Sequence, residues 1–189
     1  MASKPVVRRP TKFAHVVLRT NADNFQKMVQ FYKDFLGASA AFENDFLSFL
    51  SYDDEHHRIA IAGIPGTAPK NPKACGLEHT AFSFDTLEDL LEAYRERKEL
   101  GILPIWSVNH GPTTSIYYAD PDGNQIETQV DNFETSAEAT QFMMSKYFEE
   151  NPIGTDFDPE EMIEKLRNGV SPEELKKRVE IGPRSIPVQ

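Results

Sequence analysis

The chain has 189 residues, of which 39% are hydrophobic and 26% charged, and its formal net charge at pH 7 is −10. This length provides enough apolar surface for one large domain or two small modules. The negative charge argues against nucleic acid or an anionic membrane as a partner. A single cysteine excludes an internal disulfide and predicts a reducing, cytoplasmic location. No apolar run has signal-peptide or transmembrane character, so we expect no membrane association.

The first third of the chain predicts one strand, one helix and further strands. Residues 13–19 are apolar and β-branched, which is typical of a strand, and His15 lies near its start. Apolar residues then recur at helical spacing from Phe25, and Gly37 ends the predicted helix. Residues 41–52 and 56–61 alternate between apolar and polar, as strands do.

The same order of elements returns after a predicted linker at residues 63–75, which is rich in proline and glycine. A strand at residues 77–84 carries His79 near its start. It precedes a helix whose predicted apolar face consists of Leu87, Leu90, Leu91, Tyr94 and Leu100. The interval from His15 to His79 equals the interval from Gly37 to Gly101, 64 residues. The chain is therefore predicted to be an internal repeat of two βαβββ modules, which must pack together to cover their sheets.

A β-hairpin is predicted at the end of the second module. Residues 115–118 and 125–130 have strand composition, and the segment Asp120-Pro121-Asp122-Gly123-Asn124 between them has turn composition. Three side chains on this hairpin have polar chemistry, namely His110 at its mouth, Tyr117 on its first strand and Glu127 on its second.

Helix signals dominate the last part of the chain. Ser136 begins one predicted helix. Asp158-Pro159 and Ser171-Pro172 begin two more, each with a cap residue, a proline at the first position and acidic residues in the first turn. We expect these helices to pack onto the module pair or onto a second subunit, and the alternative is that they form a lid.

The hairpin resembles the signature of the extradiol ring-cleavage dioxygenases, in which a His, an apolar-Tyr pair, an acidic or amide residue before Pro, a Gly and a Glu recur at fixed spacing. The residues that fit it are His110, Ile116-Tyr117, Asp120-Pro121, Gly123 and Glu127. The paired modules resemble the vicinal oxygen chelate superfamily. That resemblance implies an α+β fold in which paired βαβββ modules curl around a metal site.

These patterns together predict a domain at residues 1–132 and a helical extension at residues 133–189. The first module lies at about 12–62 and the second at about 76–132.

The resemblance implies a 2-His-1-carboxylate metal site made of His15, His79 and Glu127. Two neutral imidazoles and one carboxylate leave three open positions on one face of a divalent metal, an arrangement that suits non-haem Fe(II). Mn(II) satisfies the same ligand set. Taken singly, a His on an apolar strand is more often a core residue. The equivalent positions of these two in the repeat favour ligands.

The resemblance also implies roles for His57, His110 and Tyr117 as catalytic residues. His57 lies in a stretch that resembles the family's His-x-x-Ala strand, whose His is the acid/base. His110 and Tyr117 match a pair that hydrogen-bonds the substrate oxygens. We expect His56 to face the opposite side of the strand from His57, and we expect Tyr118 to face away from Tyr117 and serve in packing. Trp106, Phe49 and Phe46 are candidates to line an aromatic pocket, although each is expected in the core.

Alignment of residues 57–60 with residues 124–127 places Ala60 opposite Glu127, so the fourth ligand position of glyoxalase-type sites holds no donor. We therefore predict an Fe(II)-dependent extradiol dioxygenase that acts on a catechol with O₂, as a homo-oligomer, a dimer. Two alternatives of the same fold are a glyoxalase-like isomerase or lyase and a metal-free binding protein of the bleomycin-resistance type. Ala60 and His57 argue against the first, and His15, His79 and Glu127 argue against the second.

Overall fold

The computed structural model describes residues 7–184. It divides into two compact units, Met1–Pro69 and Lys70–Gln189. The predicted division into a domain at 1–132 and an extension at 133–189 stays a prediction, and its outermost residues, 1–6 and 185–189, lie outside the described residues. Within residues 7–184, no helix is long and apolar enough to cross a membrane.

The first unit has the predicted βαβββ order. Its elements follow in sequence: β1 (Val16–Thr20), α1 (Phe25–Leu36), β2 (Ser39–Glu43), β3 (Leu47–Ser51) and β4 (Ile59–Gly63). A short 3-10 turn at Ala22–Asn24 lies between β1 and α1. They form a four-stranded sheet of order β1-β4-β3-β2, in which β1 and β4 run parallel.

The second unit repeats this order and adds further elements. Its module comprises β5 (His79–Phe84), α2 (Leu87–Glu99), β6 (Trp106–Asn109), β7 (Thr113–Ala119) and β8 (Gln125–Asp131). The added elements are α3 (Ser136–Met143), α4 (Lys146–Glu150), β9 (Thr155–Asp156), α5 (Pro159–Arg167) and α6 (Pro172–Leu175). The sheet has the order β5-β8-β7-β6-β9.

Helix α1 covers the first sheet with an apolar stripe. Its buried residues follow the helical period and are Phe25, Met28, Val29, Tyr32 and Phe35. The predicted end of the helix is confirmed, because Gly37 adopts the left-handed conformation at φ 60°. Opposite it, Leu50, Ile59 and Ile61 of the sheet are buried at 2% exposure or less.

Helix α2 covers the sheet of the second unit in the same way. The side chain of Thr86 caps it by accepting a hydrogen bond from the backbone N–H of Asp89 at 3.1 Å. Leu87, Leu90, Leu91 and Tyr94 are buried as predicted. The prediction for Leu100 was wrong: this side chain is 59% exposed, because the helix has ended at Glu99 and its last buried position is occupied by Arg97.

The C-terminal extension packs on the second module. Its strand β9 pairs antiparallel with β6 and adds a fifth strand to the sheet. Helix α5 lies against α2, and the Tyr94 hydroxyl donates to Oε1 of Glu160 at 2.8 Å. The predicted helix starts at Ser136, Pro159 and Pro172 are confirmed, whereas the break between α3 and α4 and the strand β9 were not predicted.

Candidate active site

One row of register partners crosses the second sheet and organises the site. Trp106 pairs with Tyr117, Tyr117 pairs with Glu127, and Glu127 pairs with Ala81. Residues that are direct partners in neighbouring strands place their side chains on the same face of a sheet. The row therefore brings an indole, a phenol and a carboxylate together on one face.

His79 contributes an imidazole to this face. Its Nε2 lies 3.0 Å from Oε2 of Glu127, and the carboxylate side chain is 6% exposed while the imidazole is 33% exposed. His79 reaches Glu127 because it lies two residues before Ala81, on the same side of β5. An imidazole nitrogen and a carboxylate oxygen that converge in this way are the donor types that divalent metals bind. The donor chemistry of the pair therefore fits two of the three predicted ligands.

Within residues 7–184, no group of three or more His, Cys, Asp or Glu side chains is placed so that it could hold a metal ion. His15, the third predicted ligand, belongs to the first unit, where it is exposed and directly precedes β1. Its role as a ligand stays a prediction.

The strand registers confirm the predicted correspondence between Ala60 and Glu127. In the first unit Val17 pairs with Ala60, and in the second unit Ala81 pairs with Glu127. Val17 precedes Ala81 by the repeat interval of 64 residues. The position that carries a carboxylate in the second unit thus carries a methyl group, 1% exposed, in the first.

His110 and Tyr117 form a hydrogen-bonded pair beside the row. Nε2 of His110 lies 2.9 Å from the Tyr117 hydroxyl, and Nδ1 lies 2.5 Å from the backbone carbonyl oxygen of Ile153. Because a carbonyl only accepts, Nδ1 carries the proton and donates to it. In the neutral ring Nε2 is then an acceptor, so the Tyr117 hydroxyl donates to His110. Burial lowers the pKa of His110, which keeps the ring neutral.

Tyr117 is held in its protonated form. Burial raises the pKa of its hydroxyl, and the negative charge of Glu127 raises it further. The Trp106 ring stacks on the Tyr117 ring at 5.1 Å between centroids and meets the His110 ring edge-on at 5.6 Å. The phenol is therefore a fixed hydrogen-bond donor at neutral pH.

The first unit brings three histidines together. The rings of His15 and His57 are 4.3 Å apart, and Nδ1 of His56 lies 2.6 Å from Nδ1 of His57. His57 is 8% exposed and stacks on Phe49 at 4.6 Å. Burial lowers the pKa of His57, and the neighbouring His15 and His56 lower it further. The ring is thus neutral at pH 7.

The prediction that His56 and His57 face opposite sides of a strand was wrong. Strand β4 begins only at Ile59, so both histidines lie in the turn before it, where the alternation of side chains does not apply. Tyr118, by contrast, faces away from Tyr117 as predicted: it is fully buried and lies under the guanidinium of Arg97. Phe46 is 58% exposed and does not belong to the core.

Sequence patterns missed two parts of this site. Trp106 was considered only as a pocket wall or core residue, although its place opposite Tyr117 follows once the register of the hairpin is extended to β6. The carbonyl of Ile153 contacts His110 through the backbone, so its residue type carries no signal.

Comparisons with known proteins identify the family to which the chain belongs. A family model described as the Glyoxalase/Bleomycin resistance protein/Dioxygenase superfamily matches residues 12–128. Biphenyl-2,3-diol 1,2-dioxygenase 2 of Rhodococcus globerulus is 48% identical over 149 residues, which cover 78% of this chain and 77% of that protein. Biphenyl-2,3-diol 1,2-dioxygenase 3 of the same organism is 44% identical over 169 residues, which cover 88% of each chain.

Among solved structures, lactoylglutathione lyase from Agrobacterium tumefaciens superposes with a TM-score of 0.52 over 65% of this chain and 96% of that protein. Its sequence identity of 20% supports a likeness of fold alone. The chain belongs to the glyoxalase/bleomycin resistance protein/dioxygenase superfamily. The predicted resemblance and the predicted fold of paired βαβββ modules are therefore confirmed.

Proposed function

We propose that this chain is an extradiol dioxygenase that opens the aromatic ring of a catechol-type substrate with O₂. Two relatives that match it over most of its length, at 48% and 44% identity, are named for 1,2-cleavage of biphenyl-2,3-diol. The bond between carbons 1 and 2 joins a hydroxyl-bearing carbon to a neighbour that carries no hydroxyl, which is the extradiol position. The observation that carries the proposal is the shared sheet face of two pairs, His79–Glu127 and His110–Tyr117.

The proposed metal ligands are His15, His79 and Glu127, and the proposed metal is Fe(II). The pair of His79 and Glu127 supports this assignment through its 3.0 Å approach, and His15 is supported by its place in the repeat. When bound by three ligands, such an ion supplies adjacent open positions for the catechol oxygens and O₂ and a path for electrons between them. Mn(II) accepts the same donors, so the metal itself must be measured.

His57 is the proposed acid/base. A residue that removes a proton from a catechol hydroxyl must be neutral beforehand, and burial together with two neighbouring histidines lowers the pKa of His57 and favours this form. Its ring is held by stacking on Phe49, which limits the directions in which its nitrogens point. The same ring, once protonated, can return the proton to an oxygen atom later in the reaction.

Tyr117 is the proposed hydrogen-bond donor to a substrate oxygen. Its raised pKa keeps the proton on the phenol, so it can donate to an oxygen that gains negative charge. His110 holds the hydroxyl in place at 2.9 Å in the absence of substrate. Donation can shift from His110 to the substrate without movement of the ring, because Trp106 stacks on it.

The proposed substrate class is an aryl-substituted catechol such as biphenyl-2,3-diol, after the names of the relatives. We also propose that the chain acts as a homodimer in the cytoplasm. Exposed apolar side chains such as Phe13 and Phe42 support the first point, and a single exposed cysteine supports the second. Light scattering after size-exclusion chromatography measures the mass and tests the dimer.

The function is tested by loading the purified chain anaerobically with Fe(II) or Mn(II), removing free metal, and adding biphenyl-2,3-diol or unsubstituted catechol with air. We expect a coloured ring-opened product, oxygen uptake equal to substrate consumed, and bound metal close to one per chain. Methylglyoxal with glutathione serves as the substrate of the alternative isomerase. Turnover of that pair, with no ring cleavage by either metal form, would refute the proposal.

A further inference from the structure

A backbone carbonyl of the C-terminal extension contacts the imidazole ring of His110. The oxygen of Ile153 accepts from Nδ1 of His110, and this single contact decides which ring nitrogen is left to face Tyr117. Without it, a neutral imidazole could carry its proton on Nε2 and donate to the phenol oxygen instead. The phenol proton would then be free to point elsewhere.

A buried asparagine shapes the turn that presents this carbonyl. Asn151 is 1% exposed, and its Oδ1 accepts from the backbone N–H groups of Ile153 at 3.2 Å and Gly154 at 2.8 Å. Its Nδ2 donates to the carbonyl of Gly154 at 3.1 Å. The three hydrogen bonds that the structure describes for this side chain all lie inside the turn and stabilise its described conformation.

A buried arginine joins the turn to the loop that carries His110. The Nη1 of Arg178 donates to the carbonyl of His110 at 3.1 Å and to the carbonyl of Asn151 at 2.7 Å. Its side chain is 2% exposed, and Nη2 donates to the carbonyl of Tyr147 at 3.0 Å. Since one nitrogen serves both segments, the distance between them is fixed by the planar guanidinium.

The backbone of the turn at residues 151–154 lies so close to the His110 loop that glycine is required at the contact. Gly154 has φ +108°, and a Cβ built on it would lie 2.2 Å from the carbonyl oxygen of Asn109. Gly111, at φ +102°, would place a Cβ 2.1 Å from the Phe142 ring. A side chain at position 154 would force the turn away from the His110 loop, whereas one at position 111 would collide with Phe142 of α3.

We propose that Asn151 and Arg178 are positioning residues for the ring-cleavage reaction. They hold the Ile153 carbonyl against His110, fix the Nδ1–H tautomer, and so leave Nε2 as the acceptor that fixes the direction of the Tyr117 hydroxyl. The inference rests on the proposed function for its link to turnover, whereas the tautomer itself is a property of the folded chain.

The test reads the tautomer directly. The full-length chain is labelled with ¹⁵N-histidine, and two- and three-bond ¹H–¹⁵N correlations are recorded with and without diamagnetic Zn(II). The chain has five histidines, and loss of one signal set in His110→Gln assigns His110. We expect the Nδ1–H pattern for His110 at neutral pH. An Nε2–H pattern in the unsubstituted chain would overturn the proposal without any appeal to a variant.

Arg178→Lys keeps the charge but removes the guanidinium that serves two carbonyls. We expect a mixture of His110 tautomers, with unchanged metal content and KM. We also expect kcat to fall by about 10-fold or more, as it does when a hydrogen bond that orients a functional side chain is lost. The matched control is Arg95→Lys, which alters an arginine on α2 that pairs with Glu92 and whose side chain is 40% exposed. Asn151→Ser provides a second variant should Arg178→Lys not fold.

The outcomes separate this inference from the proposed function. If the unsubstituted chain fails to open any catechol ring while His110 shows the Nδ1–H pattern, the proposed function is at fault. If ring cleavage occurs and both Arg178→Lys and Asn151→Ser keep the tautomer and the kcat of the unsubstituted chain, the positioning role is refuted.

Discussion

Ala60 and Glu127 hold the same register position in the two units, opposite Val17 and Ala81 respectively. One module therefore supplies a carboxylate where the other supplies only a methyl group. For the proposed metal ligands His15, His79 and Glu127, this asymmetry means that position 60 adds no fourth donor.

Ala60→Glu tests this relationship. A carboxylate at a position that is 1% exposed should destabilise the metal-free chain, since a buried charge without a partner is costly. If the position faces the metal, divalent metal should raise the melting temperature of the variant more than that of the unsubstituted chain, while ring cleavage is lost. Ala60→Val is the control for size. Equal destabilisation with and without metal would show that Ala60 serves only in packing.

His79→Ala should produce a folded chain with little bound metal. Loss of a hydrogen bond to a metal ligand typically weakens metal binding by about 10- to 100-fold, and removal of a ligand itself should weaken it more. Elemental analysis after desalting measures the metal, and Thr80→Ala, one residue along β5, is the control. Stoichiometric metal in His79→Ala would exclude His79 as a ligand.

His57→Gln should separate proton transfer from metal binding. We expect metal content to stay unchanged and kcat to fall by about 10²- to 10⁴-fold, the range for general acid–base catalysis. His56→Gln changes the exposed neighbour in the same way and should retain most of the activity. A loss of metal in proportion to the loss of rate would instead make His57 a ligand.

Tyr117→Phe removes only the hydroxyl and should leave fold and metal content intact. Because Tyr117 and His110 act as one hydrogen-bonded pair, the loss of kcat/KM in the double variant Tyr117→Phe/His110→Asn should be clearly smaller than the product of the two single losses. Tyr118→Phe, on the opposite face of β7, is the matched control. Fully multiplicative losses would show that the two residues act independently.

Asp156→Asn tests the contacts of the Asp156 carboxylate with the Trp106 indole and Arg184. Burial opposes ionisation of Asp156, but hydrogen bonds from Arg184 and Trp106 outweigh it, so its pKa lies below the ordinary value. The carboxylate therefore adds stability above the unfolded-state pKa of about 3.9, and this contribution is lost as pH falls through the folded-state pKa.

For Asp156→Asn we expect a melting temperature lower by only about 1 to 3 °C at pH 7, because the Asp156 side chain is 57% exposed. The difference should shrink as the pH falls below 4. Glu164→Gln on the exposed side of α5 is the control, and thermal unfolding monitored by circular dichroism at several pH values measures both. A difference that does not change with pH would show that the charge of Asp156 is not its source.

Local signals predicted most of the fold. The predicted helix caps at Asp158 and Ser171, the glycine after α1 and the turn that begins at Asp120 each specify backbone geometry over a few residues, and all are confirmed. The alignment of residues 57–60 with residues 124–127 carried this local information from one module to the other and correctly related Ala60 to Glu127.

The remaining features depend on contacts that no local pattern encodes. The prediction for His56 was wrong because the strand was predicted to start at residue 56, three residues before β4 begins. A shift of that size changes which side chains alternate. Strand β9 has two residues and forms only because β6 offers an edge. The role of Ile153 is that of its carbonyl, which every residue possesses. The roles of His15, His57, His79 and Glu127 stay predictions until metal and rate are measured.

Strand β9 also determines whether the protein would aggregate if its C-terminal segment were removed. It covers β6, whose edge would otherwise present unpaired N–H and C=O groups to solvent. A chain that ended near residue 132 would expose this edge and would be open to strand pairing with neighbouring molecules. Such a truncation should therefore be recovered in the insoluble fraction, so inactivity after deletion would say nothing about chemistry, and point variants are the correct tools for this segment.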